Sequence, residues 1–137
     1  MYLLDTNVIS ELRRAGRADP HALTWLDALG PDDWWVSVVT DYELELGLVG
    51  KRHKDPRQAS FLDAWLKKIR RTYEPRMLPV THEIGRICAS IQVPDRRQLT
   101  DALIAATALH HDLTLVTRNV KDFEVPGLRV FNPFSEG

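Results

Sequence analysis

An α/β sandwich around a mainly parallel sheet is the fold class predicted for this chain, from three observations. Short apolar segments alternate along its length with longer segments of helical period. Helix caps and breakers, such as Asp19-Pro20 and Gly30-Pro31, punctuate the boundaries. The length of 137 residues suits one domain with a single core, so residues 1–137 are read as one unit.

The first strand is Tyr2-Leu3-Leu4, ended by Asp5-Thr6-Asn7, three residues that favour turns and N-caps. A helix is expected from about Val8 to Arg14. A second begins at Pro20, capped by Asp19, with Ala22, Leu23, Trp25, Leu26 and Leu29 as its apolar stripe. Trp34 to Val39 is β-branched and aromatic and reads as a strand, after which Thr40 opens a helix through Gly47. The polar stretch 51–57 reads as a break. Phe61, Leu62, Trp65, Leu66 and Ile69 then mark a long amphipathic helix. Met77-Leu78-Pro79-Val80 is a short strand, and Ile84, Ile87, Cys88 and Ile91 share one helical face, which makes Cys88 a small core residue. A loop at Pro94–Gln98 precedes an Ala-rich helix from Thr100 to His111. Strands follow at Leu113–Val116 and Leu128–Phe131, separated by the Thr117-Arg118-Asn119 turn.

The single cysteine cannot form an intramolecular disulfide. No apolar run approaches the roughly 18 residues of a membrane helix, and the N-terminus lacks a basic region followed by an apolar stretch. A soluble cytoplasmic protein with no membrane partner is the default expectation. The net charge of −1 conceals a segregated distribution. Residues 1–50 carry net −6, residues 51–100 net +7 and residues 101–137 net −2. The basic clusters lie at Lys51-Arg52-His53-Lys54, at Lys67-Lys68-Ile69-Arg70-Arg71 and at Arg96-Arg97. Each reads either as a solvated helix face or as part of a rim that tracks phosphates around an acidic site. The second reading predicts that residues 51–76 border the acids.

In parallel sheets ligands bind beyond the carboxyl ends of the strands, and this rule selects among the carboxylates. Asp5 follows the first strand and Glu43 lies one helical turn beyond the second. Asp101 begins the helix that leads to the fourth strand, and Asn119 and Asp122 follow that strand. Local roles compete at every position. Asp5 fits an N-cap, Thr40-Asp41-Tyr42-Glu43 a capping box, Thr100-Asp101 a helix start, and Asn119 and Asp122 a turn. Taken together, these local roles leave unexplained why all five fall at one edge. Clustered carboxylates repel one another unless a cation is bound, and oxygen-only ligands suit Mg²⁺ or Mn²⁺ where zinc would want His or Cys. The histidines show no ligand spacing, the serines have no nucleophile-elbow context, and there is no phosphate-cradling glycine loop.

At these residues the chain resembles the PIN-domain ribonucleases, specifically VapC toxins of type II toxin–antitoxin pairs near the FitB-like branch. The resemblance spans almost the whole chain. It is carried by Leu4-Asp5-Thr6-Asn7-Val8-Ile9-Ser10-Glu11, Thr40 to Gly47 with Glu43-Leu44, Thr100 to Ala108, Val116-Thr117-Arg118-Asn119, Asp122-Phe123 and Phe131-Asn132-Pro133. It implies a PIN-like three-layer sandwich and a magnesium site at Asp5, Glu43 and Asp101. The fourth position falls to Asn119 or Asp122, and Thr6 and Thr117 would orient ligands or water. It also implies a homodimer and a cognate VapB-type antitoxin, through which a toxin–antitoxin complex would bind operator DNA. Trp25, Leu26, Leu29, Leu46, Leu48, Val49, Phe61 and Trp65 are candidates for the antitoxin groove or dimer face.

The activity so implied is metal-dependent hydrolysis of RNA phosphodiesters. Arg118 and Lys121, with Lys51, Arg52, Lys67, Lys68, Arg70 and Arg71, are candidates for holding the RNA backbone. Trp34, Trp35 and Tyr42 are candidates for stacking a base. One alternative is a catalytically weak module that acts in antitoxin-assisted DNA binding. Another is an aspartate-nucleophile phosphatase, disfavoured because Asn7 stands where a second Asp would serve as acid and base.

Overall fold

A computed structural model describes residues 1–14 and 16–135. The chain runs β1 (Tyr2–Leu4), α1 (Thr6–Glu11), α2 (Pro20–Asp27), β2 (Trp34–Ser37), α3 (Val38–Lys54), α4 (Pro56–Tyr73), β3 (Met77–Leu78), α5 (His82–Ile91), α6 (Leu99–His110), β4 (Thr114–Val116) and β5 (Val130–Phe131). Short 3₁₀ turns lie at Glu74–Arg76 and Val120–Phe123. The five strands form one sheet in the order β3-β2-β1-β4-β5, and every neighbouring pair is parallel.

Both faces of the sheet are covered, which is why its strands are apolar along their length and do not alternate with polar residues. Leu4, Val36 and Val116 pack on one face with Val8 of α1, Ala22 of α2, Leu44 and Leu48 of α3, and Leu66 and Tyr73 of α4. Leu3 and Leu115 point to the other face, against Ile104, Ala105 and Ala108 of α6. Helix α5 packs outside α6 through Ile84, Cys88, Ala102 and Ala106, so Cys88 is the core residue its spacing predicts. The result is the expected three-layer α/β sandwich. No helix among the described residues is long and apolar enough to cross a membrane.

Several helix boundaries differ from expectation. Helix α3 begins at Val38 and not at Thr40, because the Ser37 side chain accepts a hydrogen bond from the Val39 amide at 3.0 Å and supplies the cap. It then runs through the polar 51–54 segment, where Lys51, Arg52, His53 and Lys54 stand in its last turn and suit its negative end. The break shrinks to Asp55, which ends α3 and caps α4 by accepting from the Gln58 amide. Helix α6 starts at Leu99 and not at Thr100, following Gln98. Helix α1 spans Thr6–Glu11, earlier than the Val8–Arg14 expectation, since the Asp5 side chain caps it.

The strand order fixes where a site can form. From β1 the chain proceeds to β2 and β3 on one side, then crosses to β4 and β5 on the other. The carboxyl ends of β1 and β4 therefore flank the switch point, the crevice where parallel sheets bind ligands.

Candidate functional site

Asp5 is the first residue beyond β1, and its amide donates to the Val116 carbonyl at 2.9 Å, which continues the β1–β4 pairing to the sheet edge. Its side chain is turned inward and only 5% exposed. One carboxylate oxygen accepts from the Thr6 amide at 2.8 Å. The other accepts from the Thr117 hydroxyl at 2.8 Å and from the Asn7 side-chain amide at 3.3 Å. Asn7 also donates to the Thr117 hydroxyl oxygen at 3.1 Å and accepts from the Arg118 amide at 3.1 Å. The turn after β4 is thus fastened to the start of α1, and the Asp5 rotamer is locked by groups that follow β1 and β4.

The same carboxyl edge collects the other acids. Asp5, Glu43, Asp101, Asn119 and Asp122 line one open pocket of about 540 Å³, together with Thr6, Asn7, Ser10, Glu11, Arg14, Gln98 and Arg118. Glu43 does not reach back to Thr40 as a capping box would require. Its carboxylate accepts from the Thr6 hydroxyl at 2.6 Å, since α3 begins two residues early with Ser37 as its cap and Glu43 faces the pocket. Asp101 enters from the first turn of α6, and Asp122 from the 3₁₀ turn after β4.

The electrostatics match this crowding. Burial pushes the Asp5 carboxyl up to about 6, with Glu43 and Asp101 adding to the rise and the Thr117 and Thr6 hydrogen bonds opposing it. Asp101 is also raised, first by burial and then by the charges of Asp122 and Glu43. Carboxyls that share a pocket disfavour one another's ionisation, a repulsion that a bound cation would offset. Among the described residues no three His, Cys, Asp or Glu side chains form a preformed ligand set. The donors are hard oxygens around an open cavity. This suits a cation such as Mg²⁺, which keeps several waters and takes only one or two carboxylates directly.

The basic segment lies elsewhere. None of Lys51, Arg52, Lys67, Lys68, Arg70 and Arg71 is among the residues lining the acid pocket, nor is Lys121, whereas Arg118 is. The expectation that residues 51–76 border the acids is therefore corrected. Arg70 is spent internally: its guanidinium donates to Asp41 at 2.8 Å and to Glu45 at 2.7 Å, and Tyr73 donates to the same Asp41 carboxylate. Arg52 and Lys67 both pair with Asp63. The extra turns of α3 carry the 51–54 cluster to the end of a helix whose first turns bear Glu43, away from the carboxyl edge.

Trp34 and Trp35 are half-buried and form a platform for Arg76, whose guanidinium sits 5.1 and 4.7 Å from their ring centroids and donates to the Trp34 carbonyl. They are not lining residues of the acid pocket; Tyr42 is exposed on α3. Of the groove candidates, Leu48 is core at 1% exposure, while Leu46, Val49 and Phe61 are exposed on α3 and α4. Trp25, Leu26, Leu29 and Trp65 are partly buried against the α1–α4 core.

The pocket also brings in Asn7, Ser10, Gln98, Glu11 and Arg14, which are not among the site residues the sequence predicts; Glu11 and Arg14 form a pair. Their spacing of three on and just beyond α1 was the available signal, since such pairs meet on a helix surface.

Comparison with known proteins bears on this geometry. The PIN domain family matches residues 2–126. The chain is 33% identical to toxin FitB of Neisseria gonorrhoeae, over 99% of this chain and all of that protein. It is 32% identical to VapC ribonuclease Y4jK of Sinorhizobium fredii, over 98% of each. The crystal structure of FitAcB from Neisseria gonorrhoeae superposes with a TM-score of 0.85 at 34% identity, covering 97% of this chain and 98% of that one.

Proposed function

The chain belongs to the PIN domain family, and on that premise we propose that it is a metal-dependent endoribonuclease, the toxin of a toxin–antitoxin pair. The observation that carries this reading is the convergence of Asp5, Glu43 and Asp101 on one pocket at the switch point, which Asn119 and Asp122 also line. Its likeness to a VapC ribonuclease and to a FitB toxin supports it.

Asp5, Glu43 and Asp101 would hold Mg²⁺ or Mn²⁺, with Asn119 and Asp122 facing its water shell. When bound, such an ion neutralises phosphate charge and lowers the pKa of a water. The chain's own residues do the rest. Thr117 and the Thr6 amide fix the Asp5 carboxylate, and the Thr6 hydroxyl fixes Glu43 through one oxygen. Glu43 and the exposed Asp122 are the carboxylates available to take the proton released by an attacking water. Arg118 supplies positive charge for the RNA backbone from the pocket wall, its guanidinium 4.3 Å from the Phe134 ring centroid. Single-stranded RNA suits an open pocket because its bases and backbone are not locked in a duplex.

In this reading the protein is a homodimer held in check by a cognate antitoxin, and the complex binds operator DNA through the antitoxin. The full carboxylate set favours catalysis over a weak binding module. Expression of the protein without an antitoxin, followed by sequencing of RNA 5′ ends, tests the assignment. New 5′ ends that vanish in Asp101→Asn are expected; identical 5′ ends with wild type and variant would overturn it.

A further inference from the structure

Besides its acids, the pocket is lined by two arginines, Arg14 and Arg118. Arg14 follows α1 by three residues and is 54% exposed at its side chain. Its backbone is held on both sides: its amide donates to the Glu11 carbonyl at 3.1 Å, and its carbonyl accepts from the Arg17 amide at 2.8 Å. The neighbouring Arg13 lines a different cavity, with Lys51, Gln58, Phe61, Leu62 and Trp65. Two consecutive arginines therefore serve separate cavities, and Arg14 is the one presented to the acids.

Glu11 is what aims it. The Glu11 carboxylate is 4% exposed, and it accepts from the Asp19 amide at 2.6 Å. Both of its oxygens also lie 3.4 Å from the same Arg14 guanidinium nitrogen. Asp19 is itself anchored, accepting from the Ala22 amide at 3.0 Å and from the Ser135 amide at 3.2 Å. A buried carboxylate is costly unless paired, and this one is paired on both sides without being spent on the acid cluster. The Arg14 contact is long and uses one nitrogen of a guanidinium that carries five N–H donors, so a planar fork remains for a phosphate.

We propose that Arg14, held at the pocket by the buried Glu11, binds a backbone phosphate of the RNA strand next to the one that is cut. This rests on the endoribonuclease reading. It answers a problem that reading leaves open: a pocket of carboxylates repels a polyanion, and the basic 51–71 segment does not line it. Arg14 is a binding residue in this scheme and Glu11 a positioning residue.

The test uses the full-length protein in an Asp101→Asn background, with Mg²⁺ and a fluorescent single-stranded RNA of mixed sequence, titrated over a range of salt. Arg14→Ala is expected to weaken binding by about tenfold and to flatten the plot of log affinity against log salt by about 0.7, the value of one phosphate contact on a single strand. Arg14→Lys is expected to restore the slope, since the charge remains, but only part of the affinity, since the fork is lost. Glu11→Gln separates positioning from charge. Removing a negative charge from the pocket alone would tighten binding, whereas loss of aim weakens it with the slope unchanged. An unaltered slope and affinity in Arg14→Ala would overturn the proposal, as would an Asp101→Asn protein with no measurable RNA affinity. Tighter binding by Glu11→Gln would remove Glu11 from it. Cleavage is read separately with the wild type: absent cleavage with Arg14-dependent binding defeats only the catalytic reading, and cleavage with an unchanged Arg14→Ala slope defeats only this inference.

Discussion

The Thr6 hydroxyl donates to the Glu43 carboxylate at 2.6 Å and lies 3.2 Å from the Thr40 hydroxyl. This contact ties the first residue of α1 to α3 across the mouth of the sheet, and it holds one site carboxylate from the residue next to another. A carboxylate oriented in this way pays its conformational entropy in folding and not in the reaction.

Thr6→Val keeps the shape of the side chain and removes the donor. Cleavage of single-stranded RNA should fall about 10- to 100-fold, as for other groups that orient metal ligands. Thr6→Ser should recover most of it. Turnover measured alongside melting temperature checks this; a valine variant with wild-type turnover would mean that Glu43 needs no orientation.

Asp5 makes the protein's stability depend on pH when no cation is bound. Its folded-state carboxyl is pushed up to about 6 from an ordinary value of 3.8, so the folded chain holds a proton that the unfolded chain has released. The associated stability is fully present below about 4 and is lost as the pH rises through 6. Asp5→Asn should therefore gain on the wild type by about 1–3 kcal/mol between pH 4 and pH 7 in chelator, given about 1.4 kcal/mol per unit. Urea unfolding at the two pH values measures the change, and a constant difference would contradict it.

Mg²⁺ should relieve the same strain. Its addition at neutral pH should raise the melting temperature of the wild type more than that of Asp101→Asn, because a ligand that binds only the folded state stabilises it by an amount that grows with the logarithm of its affinity. Equal shifts in the two proteins would argue against a cation at Asp101.

Arg70 tests the boundary of the site from the other side. Its bonds to Asp41 and Glu45 join α4 to α3, with the Arg70 side chain 21% exposed. Arg70→Met should destabilise the fold by about 1–2 kcal/mol, a partly screened loss, while leaving RNA affinity unchanged. Chemical denaturation and RNA titration of the same variant give both numbers.

Much of this was legible in the sequence, for reasons of scale. Strands buried on both faces read as apolar runs, and cap residues such as Asp19 act within a few positions of themselves, so β1, β2 and α2 were all placed correctly at their starts. Asp5, Glu43 and Asp101 were selected by a topological rule that needs only the order of elements. What escaped was set by partners distant in the chain. Whether Glu43 caps α3 or faces the pocket depends on Thr6, 37 positions away. Arg70 looks like one more solvent cation until Asp41 and Glu45 meet it across α3 and α4. The aim of Arg14 depends on a Glu11 whose burial is fixed by the Asp19 amide, a contact no side-chain pattern announces.

The most direct test of the account is cleavage of single-stranded RNA by purified protein, comparing wild type with Asp5→Asn and Asp101→Asn, with Mg²⁺ and with a chelator. The account predicts endonucleolytic cuts by the wild type with Mg²⁺, none in chelator, and a loss of at least about 100-fold in each folded variant, the scale on which key charge-stabilising groups contribute. Undiminished cleavage by either folded variant, or by the wild type in chelator, would contradict it.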